Sequence, residues 1–235
     1  MRKLRLSDPN RTESTHPLPI PKAGYRSSES ILTASKCPGK GHSHIPCYVR
    51  KHRNRHYERV ESGGVGDEGL ATARLSLRRP TPADIDLIYT VHSNVRACEH
   101  NPADMLTTRA EAEDLYHRWD RHWQHHGLGY WIVHDDRRGL GFCGVKVMTL
   151  NHRGVLNLFY RLDPSAWGHG VATEAATAVV EWTDTHRPDD PVVARVRPTN
   201  AASQRVAVHA GLRRAEHLDT QGEDGLDWIY ERRWP

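Results

Sequence analysis

The chain has 235 residues, enough for one large domain or two small ones, and no apolar run in it approaches the roughly 18 residues of a membrane span. Its N-terminus is basic but lacks the apolar core of about 7–15 residues that marks a secretory signal, and Cys37, Cys47, Cys98 and Cys143 are too few and too scattered for a disulfide framework. The expectation is a cytoplasmic protein with no membrane segment, whose formal net charge of +4 is unevenly spread: residues 1–60 hold 13 of the 33 Lys and Arg but only 4 of the 29 Asp and Glu.

Residues 1–70 are rich in Pro, Ser, His, Lys and Arg, and show no sustained period of 2 or 3.6. Such a segment cannot bury enough apolar surface to offset its ordering entropy, so the expectation is a basic, disordered arm on a folded domain at 71–235. Two sharper alternatives compete. The run YVRKHRNRHYER (48–59), with Tyr48 and Tyr57 able to stack, suits a weak contact with RNA or the ribosome. The cluster Cys37, His42, His44 and Cys47 offers four zinc donors. Zinc sites more often pair two close ligands with two distant ones, so no metal is assigned.

Order is expected from residue 71. Leu75 and Leu77 alternate with polar residues as in a half-buried strand. Thr81-Pro82-Ala83-Asp84 supplies a cap, a first-turn proline and an acid for a helix with the stripe Ile85, Leu87, Ile88 and Val91. Thr108-x-x-Glu111 opens a second helix through Ala112, Leu115, Trp119 and Trp123, which Gly127 is placed to stop. YWIVH (130–134) and LGFCGVKVMTL (140–150) read as a hairpin, and VLNLFYRL (155–162) as the next strand. A helix over 170–186, with Val171, Ala175, Val179 and Trp182 on one face, then leads to the strand VVARV (192–196), which makes a βαβ unit. A short helix ending at Gly211 and a strand over 226–234 complete an α+β pattern, a mixed sheet with helices on its faces.

The loop WGHGVATEA (167–175) opens the βαβ helix, where unpaired N–H groups and the dipole favour an anion. A phosphate-binding G-x-x-x-x-G-K-[ST] is absent, and a dinucleotide fingerprint would need Gly or Ala at Thr173. A tight turn with no ligand remains the plain alternative.

RLDPSAWGHGVATEA resembles the acyl-CoA loop of the GNAT family of N-acetyltransferases, in its RimJ/RimL type, which acetylates protein N-termini. PTNAASQRVAVHAGL (198–212) resembles a second family motif, TARLSLRRPTPAD (72–84) the opening strand, and YWIVHDDRRGLGFCGV (130–145) the central hairpin. The likeness implies a mostly antiparallel mixed sheet with a central βαβ unit, and acetyl-CoA as co-substrate. It implies that the amides of Gly168, His169, Gly170, Val171, Ala172 and Thr173 hold the pyrophosphate. His169 then adds charge or faces solvent, and Trp167 packs as much as it binds. The family's strand before the loop splays from its neighbour, which maps onto Tyr160 to Leu162, with an amide near Tyr160 or Arg161 polarising the thioester. Asn200 falls where the family contacts the cofactor arm, and Ser203 where it protonates the departing thiolate; an ordinary first-turn serine is the alternative.

Two departures bear on mechanism. Asn157 stands where the subgroup often has an acid, and Ala207 where many relatives have a tyrosine. Glu99 is the candidate replacement base, beside a water relay to an already neutral amine. The implied activity is acetyl transfer to a primary amine, on a protein N-terminus or a small molecule. The alternative is a non-catalytic acyl-CoA-binding module.

Overall fold

The computed structural model describes Pro46–Val49, Glu58–Glu61 and residues 69–235. The two short segments, β1 (Pro46–Val49) and β2 (Glu58–Glu61), pair antiparallel, within the stretch expected to be an arm without elements. Cys37, His42 and His44 of the suggested zinc cluster lie outside the described residues, as does most of the basic run. Among the described residues no group of His, Cys, Asp and Glu is placed to hold a metal. No helix there is long and apolar enough to cross a membrane.

From residue 70 the strands are β3 (Leu70–Ala71), β4 (Ser76–Arg78), β5 (Tyr130–His134), β6 (Gly139–Leu150), β7 (Arg153–Leu162), β8 (Val192–Val196), β9 (Arg213–Arg214), β10 (Thr220–Gly222) and β11 (Gly225–Arg232). They form one sheet in the order β10-β11-β8-β7-β6-β5-β4-β3, with β9 paired to β11. Every pairing is antiparallel except β7 with β8. That parallel pair is joined by α4 (Val171–His186), so the expected βαβ unit sits at the centre of the expected mixed sheet.

Side-chain alternation along β7 assigns the two faces. Leu156, Leu158 and Leu162 pack with Val171, Ala175 and Val179 of α4 and Ala207 of α5 (Ala201–His209). On the other face Phe159 packs with Ile85, Ile88 and Val91 of α1 (Ile85–His92) and with Ala112, Tyr116 and Trp119 of α3 (Arg109–His126). The α3 stripe differs from the expected one in a single place, since Tyr116 is buried and Leu115 only partly so.

Caps explain where the helices start. The Thr108 hydroxyl accepts the Glu111 N–H, and the Glu111 carboxylate accepts the N–H groups of Thr107 and Thr108 at 2.7 and 2.9 Å. Thr81 opens a single 3-10 turn, Pro82–Asp84, before α1, and buried Asp84 is held by two bonds from Arg78 at 2.7 and 2.8 Å. Between α1 and α3 lies a short helix, α2 (Val95–Cys98), which Asn94 caps by accepting from the Arg96 and Ala97 amides.

Candidate active site

The central opening arises from one interruption of pairing. β7 and β8 are in register only from Leu156–Val192 to Leu158–Ala194, although both strands run on. The Leu156 N–H donates to the Pro191 carbonyl at 2.8 Å, on the β8 side, whereas the Asp163 N–H donates to the Leu140 carbonyl of β6 at 2.8 Å. Backbone alternation therefore turns the N–H groups of Leu158, Tyr160 and Leu162 toward β8. Beyond Leu158 no strand meets them. Tyr160, and not Arg161, presents its amide to the gap. The Leu162 carbonyl is taken by the Trp167 indole N–H at 3.0 Å.

The glycine loop closes one end of this gap. Gly168 and Gly170 have φ of 80° and 75°, in the left-handed region where a Cβ is strained. The first bond within α4 runs from the Glu174 N–H to the Gly170 carbonyl at 3.0 Å. The amides of Val171, Ala172 and Thr173 thus lie at the helix end with no carbonyl of their own helix to meet. An anion fits there.

Glu174 ties this end to the sheet edge. Its Oε1 accepts from the Thr72 hydroxyl at 2.5 Å and the Arg74 amide at 3.1 Å, and its Oε2 accepts from Arg74 Nε at 2.7 Å. Burial pushes the Glu174 carboxyl up, but the hydrogen bonds from Thr72 and Arg74 outweigh it and hold the group below its ordinary value. Arg74 Nη1 also donates to the His169 carbonyl at 3.0 Å.

A cavity of about 450 Å³ occupies the gap. Tyr160, Leu162, Trp167, Gly168, Gly170, Val171, Ala172, Thr173, Asn200 and Ser203 all line it, as does Glu99. His169 does not; its side chain is exposed and its carbonyl serves Arg74. Trp167 is 41% exposed and lies under the Arg96 guanidinium at 5.3 Å. Glu99 is an exposed residue just past α2.

Asn200 and Ser203 owe their positions to the start of α5. The Asn200 Oδ1 accepts the Ser203 N–H at 3.0 Å, which caps the helix. The Tyr160 hydroxyl donates to the Ser203 carbonyl at 3.1 Å, and burial raises the Tyr160 phenol above its ordinary value. The Ser203 amide and carbonyl are thus both engaged at a residue that lines the cavity.

A second cavity, of about 380 Å³, lies on the α1–α3 face and includes Asn157, Phe159, Tyr130, Lys146 and Asp104. Between them the two cavities reach both faces of the sheet. The buried Asn157 Oδ1 and the buried Arg161 Nη1 have no hydrogen-bond partner. In the sequence Asn157 stands out only as a missing acid, and no local pattern singles out the Arg161 side chain or Lys146. Their signal was the odd-even alternation of β7 and its register against β6, which shows only once the strands are paired.

Comparison with known proteins agrees with this geometry. The model of the acetyltransferase (GNAT) domain family matches residues 74–213. The uncharacterized protein YkkB of Bacillus subtilis is 30% identical over 122 residues, 48% of this chain and 70% of that protein. An acetyltransferase from Agrobacterium tumefaciens superposes with a TM-score of 0.61 at 21% identity, over 74% of this chain and 99% of its own. RimL, a ribosomal L7/L12 alpha-N-protein acetyltransferase solved in complex with coenzyme A, superposes with a TM-score of 0.60 at 15% identity, over 70% of this chain and 97% of its own. The chain belongs to the GNAT acetyltransferase family.

Proposed function

We propose that the chain transfers an acetyl group from acetyl-CoA to a primary amine, on a protein N-terminus or a small molecule, by direct attack in a ternary complex. The observation that carries this is the pairing gap, which turns the Tyr160 amide and the glycine-loop helix end toward one cavity. RimL, which has the same fold, was solved with coenzyme A and by its name acts on a protein α-amine.

Acetyl-CoA, when bound, supplies an acetyl thioester whose carbon takes the amine lone pair as the C–S bond breaks. The loop amides of Gly168 and of Gly170 to Thr173 hold the pyrophosphate, and Leu162, Trp167 and Asn200 line the path of the cofactor arm. The Tyr160 N–H donates to the thioester oxygen as negative charge builds there, a contribution of about 3–4 kcal/mol. The Ser203 hydroxyl gives its proton to the departing sulfur and takes one back from solvent as the thiol leaves. The amine proton leaves to Glu99, directly or through water, because the Asn157 amide is not a base.

A second reading, acyl-CoA binding without turnover, draws on Asn157 and on Ala207, which is fully buried in the core and offers no hydroxyl. Calorimetry of the full chain with acetyl-CoA, beside Gly170→Trp, tests the shared premise. Binding that disappears in a variant with unchanged circular dichroism is the expected outcome. Absence of binding to the well-folded wild type would defeat both readings, and turnover with an amine panel separates them.

A further inference from the structure

We infer that Arg96 of α2 is the cation that meets the pyrophosphate of acetyl-CoA, reaching it from the Trp167 ring at the edge of the glycine loop. This rests on the acetyl-CoA reading above and adds to it a cofactor-binding residue from outside the loop.

The loop does not neutralise a pyrophosphate by itself. WGHGVATEA (167–175) holds no Lys or Arg, and the His169 side chain is not part of the cavity wall. The start of α4 offers amides and roughly half an elementary charge, whereas each phosphoryl group of a pyrophosphate is ionised. Arg74 touches the loop at the His169 carbonyl, but Glu174 already pairs with it and it does not line the cavity.

The cavity wall is rich in arginine. Arg96, Arg161, Arg195, Arg197 and Arg205 line it, and Glu99 is the only carboxylate there among the described residues. Three of these cations are committed elsewhere. Arg161 pairs with Asp104 at 2.8 Å, and Arg195 and Arg197 share Asp227 at 2.6 and 2.9 Å. Arg96 and Arg205 form no salt bridge among the described residues. Arg205 stands on α5, and Arg96 is the one in contact with the loop. Its Cζ lies 5.3 Å from the centre of the Trp167 ring, and Trp167 directly precedes Gly168.

Both halves of that contact are held from behind. The Trp167 indole N–H is fixed on the Leu162 carbonyl at 3.0 Å, and Asn94 Oδ1 accepts the Arg96 amide at 3.0 Å where α2 begins. A guanidinium held over an indole ring keeps its N–H donors for other partners, and a phosphate accepts two of them at once. Arg96 thus stands beside unpaired amides with its charge uncompensated, in a wall that phosphates of the cofactor would occupy.

The test is calorimetry of the full chain with acetyl-CoA, acetyl-dephospho-CoA and S-acetylpantetheine, for the wild type, Arg96→Met and Arg96→Lys. Arg96→Met is expected to weaken acetyl-CoA about tenfold at an unchanged melting temperature. Acetyl-dephospho-CoA, which lacks only the 3′-phosphate, should weaken by the same factor. S-acetylpantetheine, which has no pyrophosphate, should not respond to the substitution, and Arg96→Lys should recover part of the loss. Equal affinity of wild type and Arg96→Met for acetyl-CoA overturns the inference and leaves the acetyltransferase reading standing. So does a loss shared by S-acetylpantetheine, which would make Arg96 a support for α2, or a loss that disappears with the 3′-phosphate. A well-folded wild type that binds no acetyl-CoA overturns both.

Discussion

The Tyr160 hydroxyl donates to the Ser203 carbonyl at 3.1 Å, tying the splayed end of β7 to the first turn of α5 across the opening in the sheet. The bond holds the gap at a set width while leaving the Tyr160 amide and the Ser203 hydroxyl on the cavity side. Tyr160→Phe should lower stability by about 1 kcal/mol, the net worth of one such hydrogen bond, and keep the backbone amide in place. Ser203→Ala should leave the melting temperature alone and lower kcat by about 100-fold, as expected for loss of a general acid. A Ser203→Ala enzyme with full kcat would reduce Ser203 to a capped helix residue.

Glu174 joins the glycine loop to the β3–β4 edge through Thr72 and Arg74, and Arg74 in turn holds the His169 carbonyl. Removing its charge loosens the helix end that presents the loop amides. Glu174→Gln is expected to weaken acetyl-CoA binding about tenfold, equivalent to about 1.4 kcal/mol, with little change in circular dichroism. Unaltered affinity in calorimetry would show that the loop holds its shape without this tether.

His92 is 3% exposed, stacks on Phe142 with ring centres 4.8 Å apart, and faces the Ile88 carbonyl at 3.1 Å. Burial, followed by the Arg161 and Arg118 charges, holds its imidazole down at about 3, against the ordinary 6.5. A base depressed in the folded state binds its proton first in the unfolded chain. Its contribution to stability is therefore complete above about pH 6.5 and is lost as the pH falls toward 3, by up to about 1.4 kcal/mol per pH unit. His122 follows the same sign, also held down to about 3 chiefly by burial. Urea unfolding should show lower stability at pH 5 than at pH 7, and His92→Phe should shrink that difference by about 2 kcal/mol. If the difference stays the same, His92 is not the group that carries it.

Gly144 lies opposite Phe159 on β6, where a Cβ would fall on the Gly129 carbonyl oxygen and within 2.6 Å of the Tyr130 Cα. Both are backbone atoms of the neighbouring strand region and cannot swing aside. Gly144→Ala should cost about 3 kcal/mol and lower the melting temperature by roughly 10 °C. A melting curve that overlays the wild type would mean that the strands separate at little cost.

What the sequence determined by itself was local or periodic. The limits of α3 were written in Thr108, Glu111 and Gly127, because a cap and a left-handed stop act within a few residues of themselves. The stripes of α1 and α4 and the β5–β6–β7 meander followed from apolar spacing, and the loop at 167–175 from two glycines ahead of a helix. The short pieces were not legible: α2, β9 and β10 span 4, 2 and 3 residues, too few for any period to emerge. Tertiary structure alone decided which amide faces the gap, since that depends on where β8 stops pairing with β7. It alone decided that His169 turns outward while Arg74 holds its carbonyl. It also buried Arg161 beside Asp104, 57 positions away, and set Lys146 opposite Asn157. Charge and burial at those positions are properties of strand register and chain crossing, which bring together residues that no local pattern connects.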